Sequence, residues 1–203
     1  MNPERWRVLM HALDLPESPD SFLALSESYR EPHRHYHTQA HIDDCLEKFD
    51  LVRDLAPNPN AIELALWFHD AVYNPYRADN EEKSAEWAAR FLRGGKASTE
   101  VVDRICRLIL ATRHAIVPAD ADTALLIDVD LSILGADSAR YHQFEAEVRN
   151  EYRWVPRFLY RRKRAEILES FLRRPRIYAS DLFHSRFETQ ARQNLRVAIG
   201  NLS

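Results

Sequence analysis

Tyr36-His37-Thr38-Gln39-Ala40-His41-Ile42-Asp43-Asp44, read together with Phe68-His69-Asp70, is the part of the chain from which the rest can be understood. His37 and His41 are four residues apart, so on a helix their imidazoles project from one face, as two groups serving one site must. His69-Asp70 adds a neutral nitrogen and an anionic oxygen, a mixture that suits a borderline divalent ion better than a purely structural thiolate site would. These residues point to a metal centre held by helices.

The flanking sequence supports helices on both sides. Arg30-Glu31-Pro32-His33-Arg34-His35 is polar and broken by proline, which predicts a loop delivering the chain into a helix near His37. That helix should run through Ile42, Cys45, Leu46, Phe49, Leu51 and Val52 until Ala56-Pro57-Asn58-Pro59-Asn60 stops it. Asn60 is then expected to cap a helix over residues 61–68, apolar enough to place His69 and Asp70 deep in the core. An unpaired ionised carboxylate there is costly, and no Lys or Arg lies between Arg53 and Arg77. Asp70 therefore needs a metal, or an arginine folded back from a distance.

Further out, Asn2-Pro3 starts a helix with Trp6, Leu9, Met10 and Leu13 on one side, and a second helix follows Ser18-Pro19-Asp20. Asp79, with Glu82 three residues on, has the capping-box arrangement for a helix that ends at Gly94-Gly95. Ser98 or Thr99 opens the next, whose last turn brings up Thr112-Arg113-His114. A loop over residues 118–122 leads into an apolar helix reaching Gly135, in which Asp128 and Asp130 repeat the problem posed by Asp70. At least one of the two should be a ligand or be paired. Three more helices should occupy the remainder, around residues 141–148, 158–172 and 187–199.

Composition agrees. The 203 residues are 45% hydrophobic, with only 4 Gly and 10 Pro, which leaves little material for a turn-rich β protein and predicts an all-α chain of one domain. A net charge of −3, from 28 basic and 31 acidic residues, argues against nucleic acid or an acidic membrane as the general partner. No run approaches the ~18 apolar residues of a membrane span, and the first residues lack an apolar segment, so a soluble, cytoplasmic protein is expected. Cys45 and Cys106 read as reduced core residues.

A histidine, a His-Asp doublet and a late aspartate, in this order and in helical context, resemble the HD superfamily of metal-dependent phosphohydrolases over roughly residues 30–135. The segment of about 138–203 is similar to the extension found in a subgroup of small bacterial HD proteins. The resemblance implies a single HD-type helical bundle over 1–203, a divalent ion (Mn, Mg, Zn, Fe, Ni or Co), and hydrolysis of a phosphomonoester or nucleotide by a metal-activated water. Its implied ligands are His41, His69, Asp70 and Asp130, with Asp128 in reserve. The first motif is also similar to the signature of cyclic-nucleotide phosphodiesterases, in which the second histidine binds metal and the first is the proposed general acid. Carried over, His41 is a ligand, His37 the acid, and Asp70 orients or accepts the proton of the water. Thr38 stands where that family has asparagine, and its second histidine pair and purine-clamping glutamine are missing, which argues against a cyclic nucleotide.

The rival reading is a non-catalytic HD-like protein whose metal fastens helices while its surface binds a nucleotide signal or a protein partner. Three cations stay open between roles. His114 either interacts with a helix dipole or contacts a substrate phosphate. Arg161 and Arg164, in the run Arg157-Phe158-Leu159-Tyr160-Arg161-Arg162-Lys163-Arg164, either form a solvated face or hold that phosphate. The apolar faces of the last helices can pack within the chain or between copies, as a homo-oligomer.

Overall fold

The computed structural model describes residues 1–114, 118 and 120–202, and these are all α: ten helices and two short 3-10 turns, with no strand among them. The chain forms two compact units, Met1–Ile127 and Asp128–Ser203.

In the first unit the helices are α1 (Pro3–Ala12), α2 (Pro19–Ser28), α3 (Gln39–Asp50), α4 (Pro59–Phe68), α5 (Asn80–Gly94) and α6 (Thr99–Ala111). The short α4 is the pivot, packed against α1, α3, α5 and α6. Every residue from Ala61 to Phe68 is buried. At about 1.5–3 kcal/mol for each large apolar side chain taken out of water, this segment is a main source of the unit's stability. Its one acid, Glu63, is answered by Arg5 at 2.7 Å and by Arg53. Trp6, Phe22, Phe68 and Phe91 surround one another and Trp67 with ring centroids 5.5–6.3 Å apart, and the Tyr29 hydroxyl donates to Trp67 O at 3.0 Å.

Several local expectations change. The helix near His37 begins at Gln39, because Thr38 is extended (φ −110°, ψ −179°), so His37 precedes the helix and shares no helical face with His41. α4 begins at Pro59, not after Asn60, since proline suits the first helical position, where its missing N–H is no loss. The capping box at Asp79 does not form, because Arg77 takes both carboxylate oxygens at 2.7 and 2.6 Å. Ser98, by contrast, caps α6 through Val101 N. Thr112-Arg113-His114 lies beyond the last helical residue, with His114 in the left-handed region (φ 55°). The loop expected over 118–122 includes Ala119, which lies outside the described residues.

α7 (Ala121–Asp130) carries the chain into the second unit. The single long helix expected to reach Gly135 ends instead at Asp130, and Leu131–Gly135 is a 3-10 turn. α8 (Ser138–Glu151), α9 (Arg157–Leu172) and α10 (Asp181–Leu202) follow, with α10 packed on that turn, on α8 and on α9. Gly135 is required there: a Cβ would come within 2.6 Å of Phe187 Cβ. The α9–α10 connection is tied by Glu188, which accepts from Ile177 N at 3.1 Å and Tyr178 N at 3.2 Å, and α10 is tied to the 3-10 turn by Asn194, which donates to Leu134 O and Ala136 O. No helix among the described residues is long and apolar enough to cross a membrane.

Candidate metal centre

His41 rises from the first turn of α3, and His69 and Asp70 follow directly on the end of α4. Both imidazoles are buried. His41 Nε2 and His69 Nε2 lie 3.1 Å apart, and Asp70 Oδ2 is 3.1 Å from the second and 3.4 Å from the first. Two ligands in adjacent positions on one ion, each about 2.1 Å from it, are separated by about 3.0–3.4 Å, so the three atoms are spaced as neighbours around one ion.

The proton on one nitrogen of His69 is set by its surroundings. Nδ1 faces Leu66 O at 2.9 Å and donates to it, which points Nε2 at His41 and Asp70, where it either carries a proton shared with Asp70 or offers a lone pair to a cation. A lone pair, a second imidazole nitrogen and a carboxylate oxygen facing one another require a proton or a cation among them. Burial alone would raise the Asp70 carboxyl, but the charges of His69 and His37 and hydrogen bonds from His41 and His69 outweigh it and hold the group well below the usual carboxylate range. Asp70 is thus an anion in a low-dielectric site. The donor set fits a divalent ion of intermediate softness.

Cys45, one turn after His41, places its thiol 3.7 Å from His41 Nδ1, and His41, Cys45 and His69 offer ligand atoms within 4.8 Å of one another. The spacing His41-x-x-x-Cys45 carries this signal in the sequence, where the apolar helical context marks the thiol as core. Both cysteines are free thiols, Cys45 buried and Cys106 half-buried.

His37 is half-buried and belongs to the rim. Its ring stacks on Tyr73 with centroids 4.2 Å apart, stands edge-on to Tyr36 at 5.0 Å, and lies 5.9 Å from the His41 ring. Asp44 of the same motif pairs with Lys48 at 3.0 Å, one turn along α3.

The residue that binds the two motifs together is Arg34. Its buried guanidinium donates to His37 O at 3.0 Å, Asp70 O at 2.8 Å and Ala71 O at 3.1 Å, while Nε donates to Glu31 at 2.9 Å. Tyr29 and Tyr73 cover it at 5.1 and 5.5 Å. This is the arginine folded back from a distance, but it reaches the backbone carbonyl of Asp70 and leaves the carboxylate to the histidines. A polar residue in a proline-broken loop gave no sign of this.

The remaining candidates are placed as follows. Asp128 is fully buried with both oxygens committed, accepting from Ala179 N at 2.8 Å and Ser180 N at 2.7 Å ahead of α10. Burial pushes its carboxyl up despite those bonds. Asp130 is the last residue of α7 and half-buried. Arg164 is engaged by Glu145 through two bonds, 2.6 and 3.1 Å long, and Arg161 donates to Leu202 O at 2.7 Å. His114 ends the described segment after α6. Comparison with protein-family models, with curated proteins and with solved structures finds no match to this chain.

Proposed function

We propose that the chain is a metal-dependent phosphohydrolase of the HD type, acting on a small phosphomonoester or nucleotide in the cytoplasm. The observation that supports this best is the convergence of His41 Nε2, His69 Nε2 and Asp70 Oδ2 at 3.1–3.4 Å, from two separate helices. In this reading the three hold a divalent ion, and Asp130 is the fourth ligand that the resemblance to the HD superfamily implies. Asp128 is set aside, because both its oxygens serve backbone N–H groups.

The ion supplies Lewis acidity toward a phosphate oxygen and a lowered pKa for water. The protein does the rest. Asp70, ionised and fixed by the two imidazoles, has a second oxygen to orient a water molecule and accept its proton. His37, held at the rim by Tyr73 and Tyr36, is placed to give a proton to the departing oxygen, the role of a general acid that histidine fills most often. Arg34 keeps the His37 loop and the Asp70 turn in register.

The experiment is metal analysis of the purified chain followed by a phosphoester screen under several divalent metals. A stoichiometric ion and turnover of at least one phosphomonoester or nucleotide are expected, and Asp70→Ala should lose both. A bound ion with no turnover on any phosphoester would leave only the structural role for the metal, and retention of the ion by Asp70→Ala would overturn the ligand set.

A further inference from the structure

The second unit contains a cleft of about 690 Å³ between α8, α9 and α10, unrelated to any residue of the metal centre. Its volume falls in the range of small-molecule sites. Two alanines, Ala146 on α8 and Ala198 on α10, face it where larger side chains would fill it, and Val197 contributes an apolar wall although it is 59% exposed.

The charges around the cleft are one-sided. Glu145 is the carboxylate of its lining, and it is neutralised by the two bonds from Arg164 and by the Tyr141 hydroxyl, which donates at 2.9 Å. Arg149 donates to Tyr152 O and Val155 O in the α8–α9 connection and lies 4.6 Å over the Tyr160 ring. Arg157 is exposed at the first turn of α9. Among the described residues neither Arg149 nor Arg157 has a carboxylate partner. In a chain of net charge −3, two uncompensated guanidinium groups on one apolar cleft make a local field that attracts anions. The Tyr160 phenol on the same wall has no hydrogen-bond partner for its oxygen among the described residues, and burial raises its pKa to about 12, so it stays a neutral donor.

We propose that this cleft is a binding site for a small aromatic anion, a planar ring system bearing a sulfonate, phosphate or carboxylate. The ring lies against the walls formed by Tyr160, Ala146 and Val197, and the anion faces Arg157 and Arg149. Arginine suits this pairing because its planar, weakly hydrated guanidinium both stacks on rings and forks toward anionic oxygens.

The test is fluorescence titration of the full chain with 1-anilinonaphthalene-8-sulfonate, alongside its uncharged congener N-phenyl-1-naphthylamine. Saturable one-to-one binding of the sulfonate is expected, with the neutral congener at least tenfold weaker. Arg157→Glu changes an exposed side chain and should weaken the sulfonate at least tenfold while leaving the neutral congener unchanged. Ala146→Trp, also at an exposed helical position, should fill the cleft and abolish both. Circular dichroism confirms that each variant keeps its helices. Absence of saturable binding would overturn the proposal, as would an affinity indifferent to Arg157→Glu or to Ala146→Trp.

Discussion

One bond, from His69 Nδ1 to Leu66 O, orients the centre, because it fixes the ring so that Nε2 points at His41 and Asp70. The histidines of the first motif then divide their work by position. His41 lies within 3.4 Å of the other donors, whereas the His37 ring rests on Tyr73 outside that group. His37→Ala should therefore retain the metal and lose about 10²–10⁴-fold in kcat, the span of a general acid. His41→Ala should lose metal and turnover together, so paired metal analysis and steady-state kinetics separate the roles. Arg34 permits a subtler test. Lysine keeps the charge but has no planar fork to reach three carbonyls, and it would be buried without them. Arg34→Lys should weaken metal affinity by about 10–100-fold, as loss of an outer partner typically does, with the ligands themselves untouched. Competition against a chelating dye measures it, and wild-type affinity in the variant would show that Arg34 does not position the ligands.

At the scale of elements, α7 holds two aspartates that the proposed ligand set separates. Asp128 is buried with both oxygens on Ala179 N and Ser180 N, so it organises the start of α10. Asp128→Ala strands two backbone donors, and at about 1–3 kcal/mol for an unsatisfied buried group it should lower the denaturation midpoint while the metal stays bound. Asp130→Ala should do the reverse, losing the ion with little loss of stability in its absence. Urea unfolding and metal content on the same preparations distinguish the two, and loss of metal in Asp128→Ala alone would reverse the assignment. The sequence poses this problem without solving it. Two acids in an apolar helix announce that both need partners, yet the partner of Asp128 is the backbone 51 and 52 residues away, which no periodicity encodes. For the same reason α4 was readable from its unbroken apolar run, whereas the entry to α3 was not. His37 sits at helical spacing from His41, but its carbonyl accepts from Arg34, which is itself anchored on Asp70 O and Ala71 O, and Thr38 stays extended.

For the whole molecule, composition already excluded a sheet, since few glycines and long runs of helix-forming residues leave the helix as the way to satisfy the backbone. The cleft between α8, α9 and α10 was beyond reach, because it depends on which arginines are answered by carboxylates, and the basic run of α9 contains both kinds. Arg164 is paired with Glu145, whereas Arg157 has no carboxylate partner among the described residues. The metal centre has a consequence at this scale as well. An ion that binds only the folded chain adds RT ln(1 + [L]/Kd), about 2.7 kcal/mol when free metal is a hundred times Kd. For a chain of 203 residues, each kcal/mol moves the melting temperature by about 2–4 °C, so a chelator should lower Tm by about 5–10 °C. Asp70→Ala should melt near the chelated wild type and respond to neither chelator nor added metal. A wild-type Tm unmoved by chelation, with loss of the ion verified by metal analysis, would mean that His41, His69 and Asp70 are stable around a proton, and the hydrolase reading would lose its metal.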